Sequence, residues 1–386
     1  MSMTHLDACL DDYHEKIFQE YEQSYAPYTS EEIHANYDDK SWMGAIGDFE
    51  GLPSFVRMAA RYQRDEACSE IDEPVFDTSK WASGPLVGSY KGKFVAGWKV
   101  GEKVWANLLK GRQLTGDCAS WALRMAIDLN RAWKCVSEQV RASREAGIAI
   151  SQQQITAALE KFVRPQATAL LYSGRGHTGQ GANCSRLSNW ACKMPILLEQ
   201  NYGTIAGINC DFTSYPKYYQ LGMKYGSNGF PKAIIEKLDE LHGDAGAKEW
   251  KLVKDPRAVL DLMTQGYFCH VGSMMAWRNN GNPLSIAEGS WSHAMACVGF
   301  DDRPETVAKF GDTVVFVDQS WGPWNTITNR LPDWEPWGEG MFAISFKDFA
   351  RWVSSGECCV MTSTNGFAAD DDLPWNNPWF PIQSLN

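Results

Sequence analysis

The stretch Gly116-Asp117-Cys118-Ala119-Ser120-Trp121 joins a polar turn to an apolar-periodic run. After Cys118, apolar residues fall at Trp121, Ala122, Met125, Ala126, Leu129 and Trp133, the three- and four-residue spacing of one helix face. Gly116 permits a sharp turn before that helix, and Asp117 suits its N-cap. Cys118 then falls in the first turn, where backbone N–H groups are unpaired and the helix dipole favours negative charge. A thiol so placed has a lowered pKa, and the thiolate is the nucleophilic form. The same stretch also fits a small core cysteine, since free Cys is among the most buried residue types.

A second reactive group lies far downstream. Ser292 to Phe300 reads as a strand, with His293, Met295 and Cys297 on one face and Ala294, Ala296 and Val298 on the other. Val314 to Asp318 reads as another strand, running into Gln319-Ser320-Trp321-Gly322. Trp337-Gly338-Glu339-Gly340 and a strand from Met341 to Ile344 follow. A thiol, an imidazole and a side-chain amide are the parts of a nucleophile, its base and a group that orients the base.

A Cys at a helix start, a His on a strand, an amide before Ser-Trp-Gly, and then Gly-x-Gly and a strand, in that order, resemble the papain-like cysteine proteases. The resemblance runs from about Gln113 to about Trp352, and the Gly-Asp-Cys motif is similar to a phage-type variant of that family. It implies an α+β, two-lobed fold, with a helical lobe carrying Cys118 and an antiparallel, barrel-like β lobe carrying His293. It implies that Cys118 attacks a carbonyl carbon while His293 moves the proton. Gln319 stands where the family usually has Asn and takes the role of orienting the imidazole, with the adjacent Asp318 on the opposite strand face as a reserve. Trp321 shields that hydrogen bond and lines the cleft. Gln113, five residues before Cys118, supplies a side-chain N–H to the oxyanion hole beside the backbone N–H of Cys118. The Gly-rich loop from Ser173 to Cys184 lines the cleft, with Gly181 and Ala182 pairing to an extended substrate.

The rest of the chain must position these groups. Helices are predicted over residues 1–30 and over Phe55 to Tyr62, an accessory or docking region. Residues 73–100, rich in Pro, Gly and Ser, read as a linker or wrapping segment. Residues 119–172 read as largely helical, Leu187 to Tyr202 as a helix ending at Gly203, and Phe230 to Leu238 as another. A short helix from Val259 and a strand from Tyr267 to Met274 open the β-rich half. The insertion from Pro323 to Pro336, with Trp324 and Trp334, reads as a cleft rim or a contact for another chain. The Pro- and Trp-rich end reads as an extended arm. The expected organisation is residues 1–100 as helical extension and linker, 101–245 as helical lobe, 246–364 as β-rich lobe and 365–386 as tail.

Composition sets the outer bounds. The chain has 386 residues, of which 44% are hydrophobic, enough for a large core. A net charge of −11 with no basic patch argues against nucleic acid. No stretch has the apolar length of a membrane span. Residues Met1 to Tyr13 lack an apolar run, so no secretory signal is expected, and from Met1 onward no removed pro-segment either. Eleven scattered cysteines, an odd number without a CxxC pair, suit a reducing compartment such as the cytoplasm. His177, Cys184, Cys192 and Cys210 match no zinc spacing, and neither metal nor cofactor is expected. The expected function is a cysteine peptidase acting on polypeptide through a thioester acyl-enzyme. The alternatives are a peptidoglycan amidase or acyl transferase of the same chemistry, or a structural module of a viral particle or other assembly, with neighbouring chains as partners.

Overall fold

The computed structural model describes residues 87–104, 113–148, 150–279, 283–321, 331–334, 340–363 and 366. The helices expected over residues 1–30 and at Phe55 to Tyr62, most of the Trp- and Pro-rich insertion, and the C-terminal arm lie outside the described residues. The elements follow in chain order as β1 (Phe94–Ala96), α1 (Gly97–Val104), α2 (Cys118–Glu145), α3 (Gln152–Phe162), α4 (Thr168–Ser173) and α5 (Cys184–Ala191). A hairpin of β2 (Asn201–Ile205) and β3 (Ile208–Asp211), then α6 (Tyr215–Lys224) and α7 (Lys232–His242), complete the helical half. The second half holds β4 (Glu249–Leu252), α8 (Pro256–Met263), β5 (Cys269–Arg278), β6 (Ile286–Asp301) and α9 (Pro304–Phe310). It ends with β7 (Val314–Asp318), β8 (Phe342–Ser345), α10 (Phe346–Ser355) and β9 (Glu357–Thr362).

This is the expected α+β arrangement, a Cys-bearing helix against an antiparallel sheet bearing the His. The sheet has seven strands in the order β4-β9-β5-β6-β7-β8, with β1 paired to the far end of β6 through Phe94↔Asp301 and Ala96↔Gly299. Helix α2 packs on β6 and β5. Its predicted apolar face is buried, but so are Leu123, Arg124, Ile127, Asp128, Asn130 and Arg131 on its other sides. From Cys118 to Trp133 the helix is enclosed rather than amphipathic, so its polar groups there need internal partners. Asn130 donates to Met361 C=O on β9 and accepts from Phe268 N–H before β5. Asp128 accepts from the backbone and the side chain of Gln166, and from Arg131, which also donates to Arg164 C=O. A second hydrophobic cluster, containing Trp121, Leu170, Phe212, Tyr215, Tyr218 and Phe230, holds the helical half together.

Three local expectations fail for identifiable reasons. Residues 94–100, at the end of the segment read as a linker or wrapping stretch, are no linker: Phe94, Val95, Ala96 and Trp98 are core, and Gly299 has no side chain because a Cβ there would meet Val95 O at 2.1 Å. The helix expected from Leu187 to Tyr202 stops at Ala191, since Pro195 cannot continue it, and Asn201 begins a strand. Trp334, expected on a cleft rim, is wholly buried. Its Nε1–H donates to Asp301 at 2.8 Å, and its ring lies against Phe310 and Phe316. Arg303 ties Asp301 to Asp333 beneath it. Helix α5 also draws on a distant part of the chain. Glu357, at the start of β9, accepts from Asn183 Nδ2 and from the N–H groups of Cys184 and Ser185 at the helix N-terminus.

Trp334→Ala is expected to cost about 3–5 kcal/mol, read from urea unfolding, because a filled core site is emptied and Asp301 loses a donor. A second prediction concerns His270, fully buried on β5 with Nε2 3.4 Å from Ser188 Oγ. Burial holds its pKa down at about 4. The unfolded chain binds this proton from about pH 6.5 downward and the folded chain only from about 4, so the residue's contribution to stability is lost as pH falls through that window. The melting-temperature gap between the wild type and His270→Gln should therefore narrow between pH 7 and pH 4. A constant gap across that range would contradict it.

Candidate active site

Cys118 opens α2. Ser120 and Trp121 N–H both donate to Asp117 C=O, so Asp117 occupies the N-cap position. Its carboxylate does not cap the helix. Instead it turns to Tyr215 on α6, whose hydroxyl donates to it at 2.9 Å from either oxygen. The pairing of β7 with β6 ends at Ala296↔Asp318. Beyond that point Ala294 N–H, one residue past His293, donates to Cys118 Sγ at 3.3 Å. The thiol is thus seated against the strand that carries His293. Cys118 and His293 are both fully buried.

Continuing the register of β6 and β7 sets His293 opposite Trp321, and the two rings stack with centroids 3.8 Å apart and planes 25° apart. Among the described residues, neither ring nitrogen of His293 makes a hydrogen bond. Burial lowers its pKa to about 3, so the imidazole is neutral at physiological pH.

The orienting role expected of Gln319 is not what the structure shows. Its Oε1 accepts the N–H of Trp321 at 2.5 Å, a turn closed on itself, and neither ring nitrogen of His293 is bonded among the described residues. Asp318 registers with Ala296, on the face opposite His293, and burial raises its carboxyl pKa well above the usual range.

Gln113 is buried next to the nucleophile segment and locked to the turn after β7. Its N–H donates to Ser320 C=O at 2.8 Å, its Oε1 accepts from Ser320 Oγ at 2.7 Å, and its Nε2 donates to Thr115 C=O at 2.9 Å. The Cys118 and Trp321 segments are therefore fixed to each other. Gly181 departs from expectation as well: its N–H is held inside the protein by Gly116 C=O at 3.0 Å and Tyr172 Oη at 3.2 Å, and Ala182 is fully buried. Gln180 Oε1 accepts Gly116 N–H at 2.8 Å. The Gly-rich loop braces the turn at Gly116, and the Gly181 N–H is spent inside the protein.

Two members of the site escaped sequence reasoning. Ser320 lay in plain sight within the Gln-Ser-Trp motif, but its link to Gln113 spans 207 residues. Tyr215 carried no signal; only the polar Asp117 beside an otherwise apolar run hinted that a buried partner was needed. Among the described residues, no cluster of His, Cys, Asp or Glu has the geometry to hold a metal, and no helix is long and apolar enough to cross a membrane.

No protein-family model and no curated protein sequence matches the chain. Among solved structures it is similar to xylellain, a cysteine protease from Xylella fastidiosa. The identity is 14%, with 84% of this chain and 97% of that one covered and a TM-score of 0.42. It is similar also to the proform of Amb a 11, a cysteine protease and major ragweed pollen allergen, at 13% identity, 92% and 87% coverage and a TM-score of 0.44. A third is the cysteine protease and lectin-like domains of Cwp84, a surface layer associated protein of Clostridium difficile. There the identity is 12%, 86% of this chain and 59% of that one are covered, and the TM-score is 0.39.

Proposed function

We propose that the chain is a papain-like cysteine peptidase in which Cys118 and His293 cut peptide bonds. The observation that supports this most is the hydrogen bond from Ala294 N–H to Cys118 Sγ, which seats the thiol of a helix N-terminus beside the only imidazole on β6. His293 takes the thiol proton as Cys118 Sγ attacks the carbonyl carbon. The oxyanion is met by the backbone N–H of Cys118 and, in this reading, by the amide of Gln113. Collapse breaks the C–N bond, His293 gives its proton to the leaving amine, and a thioester remains. Water, deprotonated by His293, then releases the acid and restores the thiol. Stacking on Trp321 holds the imidazole dry, which makes its charged form costly until a thiolate or oxyanion stands next to it. Full burial of both reacting groups means that substrate enters only after covering chain moves.

One observation favours a second reading, a papain-like domain kept as a structural module. The two groups are enclosed, and neither nitrogen of His293 is bonded among the described residues.

An iodoacetamide-type probe near neutral pH, followed by peptide mapping, separates the two. The peptidase reading expects fast labelling confined to Cys118, slowed by about 100-fold or more in His293→Ala. It also expects cleavage of a mixed fluorogenic peptide library that Cys118→Ala abolishes. Slow labelling spread over many cysteines, with no cleavage, would leave the structural module standing.

A further inference from the structure

Asp117 is an acidic group buried beside the nucleophile that the chemistry above does not use. It is 1% exposed and precedes Cys118 directly, so the two Cα atoms are only about 3.8 Å apart. Its partner Tyr215 is buried too, and the Tyr215 hydroxyl does two things at once. It donates to the Asp117 carboxylate at 2.9 Å and accepts Leu114 N–H at 3.1 Å. One hydroxyl on α6 thus grips the nucleophile segment at both ends. The same helix holds the segment's middle, since Thr115 Oγ1 donates to Met223 Sδ at 3.0 Å.

We propose that Asp117 is a positioning residue whose carboxyl, clamped by Tyr215, holds Cys118 in place and whose charge governs the reactivity of the neighbouring thiol. The inference rests on the peptidase reading and names a control element within that site. The charged and titratable groups around the carboxyl are few. From α6 comes the Tyr215 hydroxyl, from α4 the Tyr172 hydroxyl, and from the following loop the Arg175 guanidinium; Trp121 faces it from α2. Arg175 is not a direct ion-pair partner. Its guanidinium is spread over the carbonyls of Tyr172, Gly179, Gly222 and Met223. It lowers the carboxyl pKa from a distance, as Tyr215 does by its hydrogen bond, but burial outweighs both and raises it to about 7.

The consequence has a definite sign. Below that pH the carboxyl is neutral and leaves the thiolate of Cys118 unopposed. Above it, a carboxylate one residue away disfavours a second negative charge. The gain in thiolate with rising pH is then partly cancelled near neutrality. A purely structural clamp would show no such dependence.

The test is the rate of Cys118 alkylation by iodoacetamide from pH 5 to pH 9, with melting temperature followed in parallel. In the wild type the profile should show an added inflection near pH 7. Asp117→Asn keeps an acceptor for Tyr215 but carries no charge, so that inflection should vanish and the thiol's own inflection should move to lower pH. Tyr215→Phe removes a donor that favours the carboxylate, so its inflection should move above that of the wild type. Profiles of unchanged shape, merely scaled at every pH, would overturn the proposal. Should Tyr215→Phe fail to fold, Asp117→Asn decides alone, because amide and acid have the same shape. A wild-type Cys118 that reacts no faster than other cysteines tells against the peptidase reading instead, and the shapes are still compared at that lower rate.

Discussion

A helix segment buried on all its sides needs partners for the charged side chains it carries, and α2 from Cys118 to Trp133 sets that requirement for the whole molecule. Arg124, Asp128, Asn130 and Arg131 are all buried on it. An unpaired buried polar group costs about 1–3 kcal/mol, and more when charged. The partners come from both halves: Glu199 and Gln166 from the helical side, Phe268 and Met361 from the sheet side. The two halves are thereby referenced to one rod, and the rod begins with Cys118. The placement of Cys118 follows from the need to satisfy polar groups far along the same helix.

The site repeats this logic on a smaller scale. The turn before Cys118 is held by three separate bodies: Ser320 after β7, Tyr215 and Met223 on α6, and Gln180 of the Gly-rich loop. Gly116 N–H, Gly181 N–H and the Asp117 carboxyl all have partners within the protein. His293 is the exception in kind, for it is held by ring stacking and strand geometry instead of hydrogen bonds. Its neutrality and its dryness have the same cause, burial under Trp321.

Much of this was legible in the sequence because periodicity and residue type speak directly to backbone form. The α2 face from Trp121 to Trp133, the small-residue strand around His293 and the β7 strand before Gln319 were read correctly as elements, and the order of the motifs pointed to an α+β arrangement. What resisted reading depends on partners remote in sequence. Nothing local says that Gly181 N–H will be spent on Gly116, or that Gln319 will turn back to Trp321. Trp334 looked like a surface tryptophan because Pro and polar residues flank it, yet Asp301 and Trp98 build it into the core. Phe94 to Ala96 were masked by the Gly-rich residues before them, although three apolar residues in a row already suited a strand edge.

The capping of α5 by Glu357 has a consequence for how the molecule is made. The helix follows directly on the loop that braces Cys118, yet the carboxylate at its N-terminus arrives from 173 residues later in the chain. Asn130 likewise waits for Met361, 231 residues on. During synthesis from the N-terminus, Cys118 therefore emerges long before Ala294 and Ser320, which hold its segment, and α5 and α2 gain their last partners only when β9 has left the ribosome.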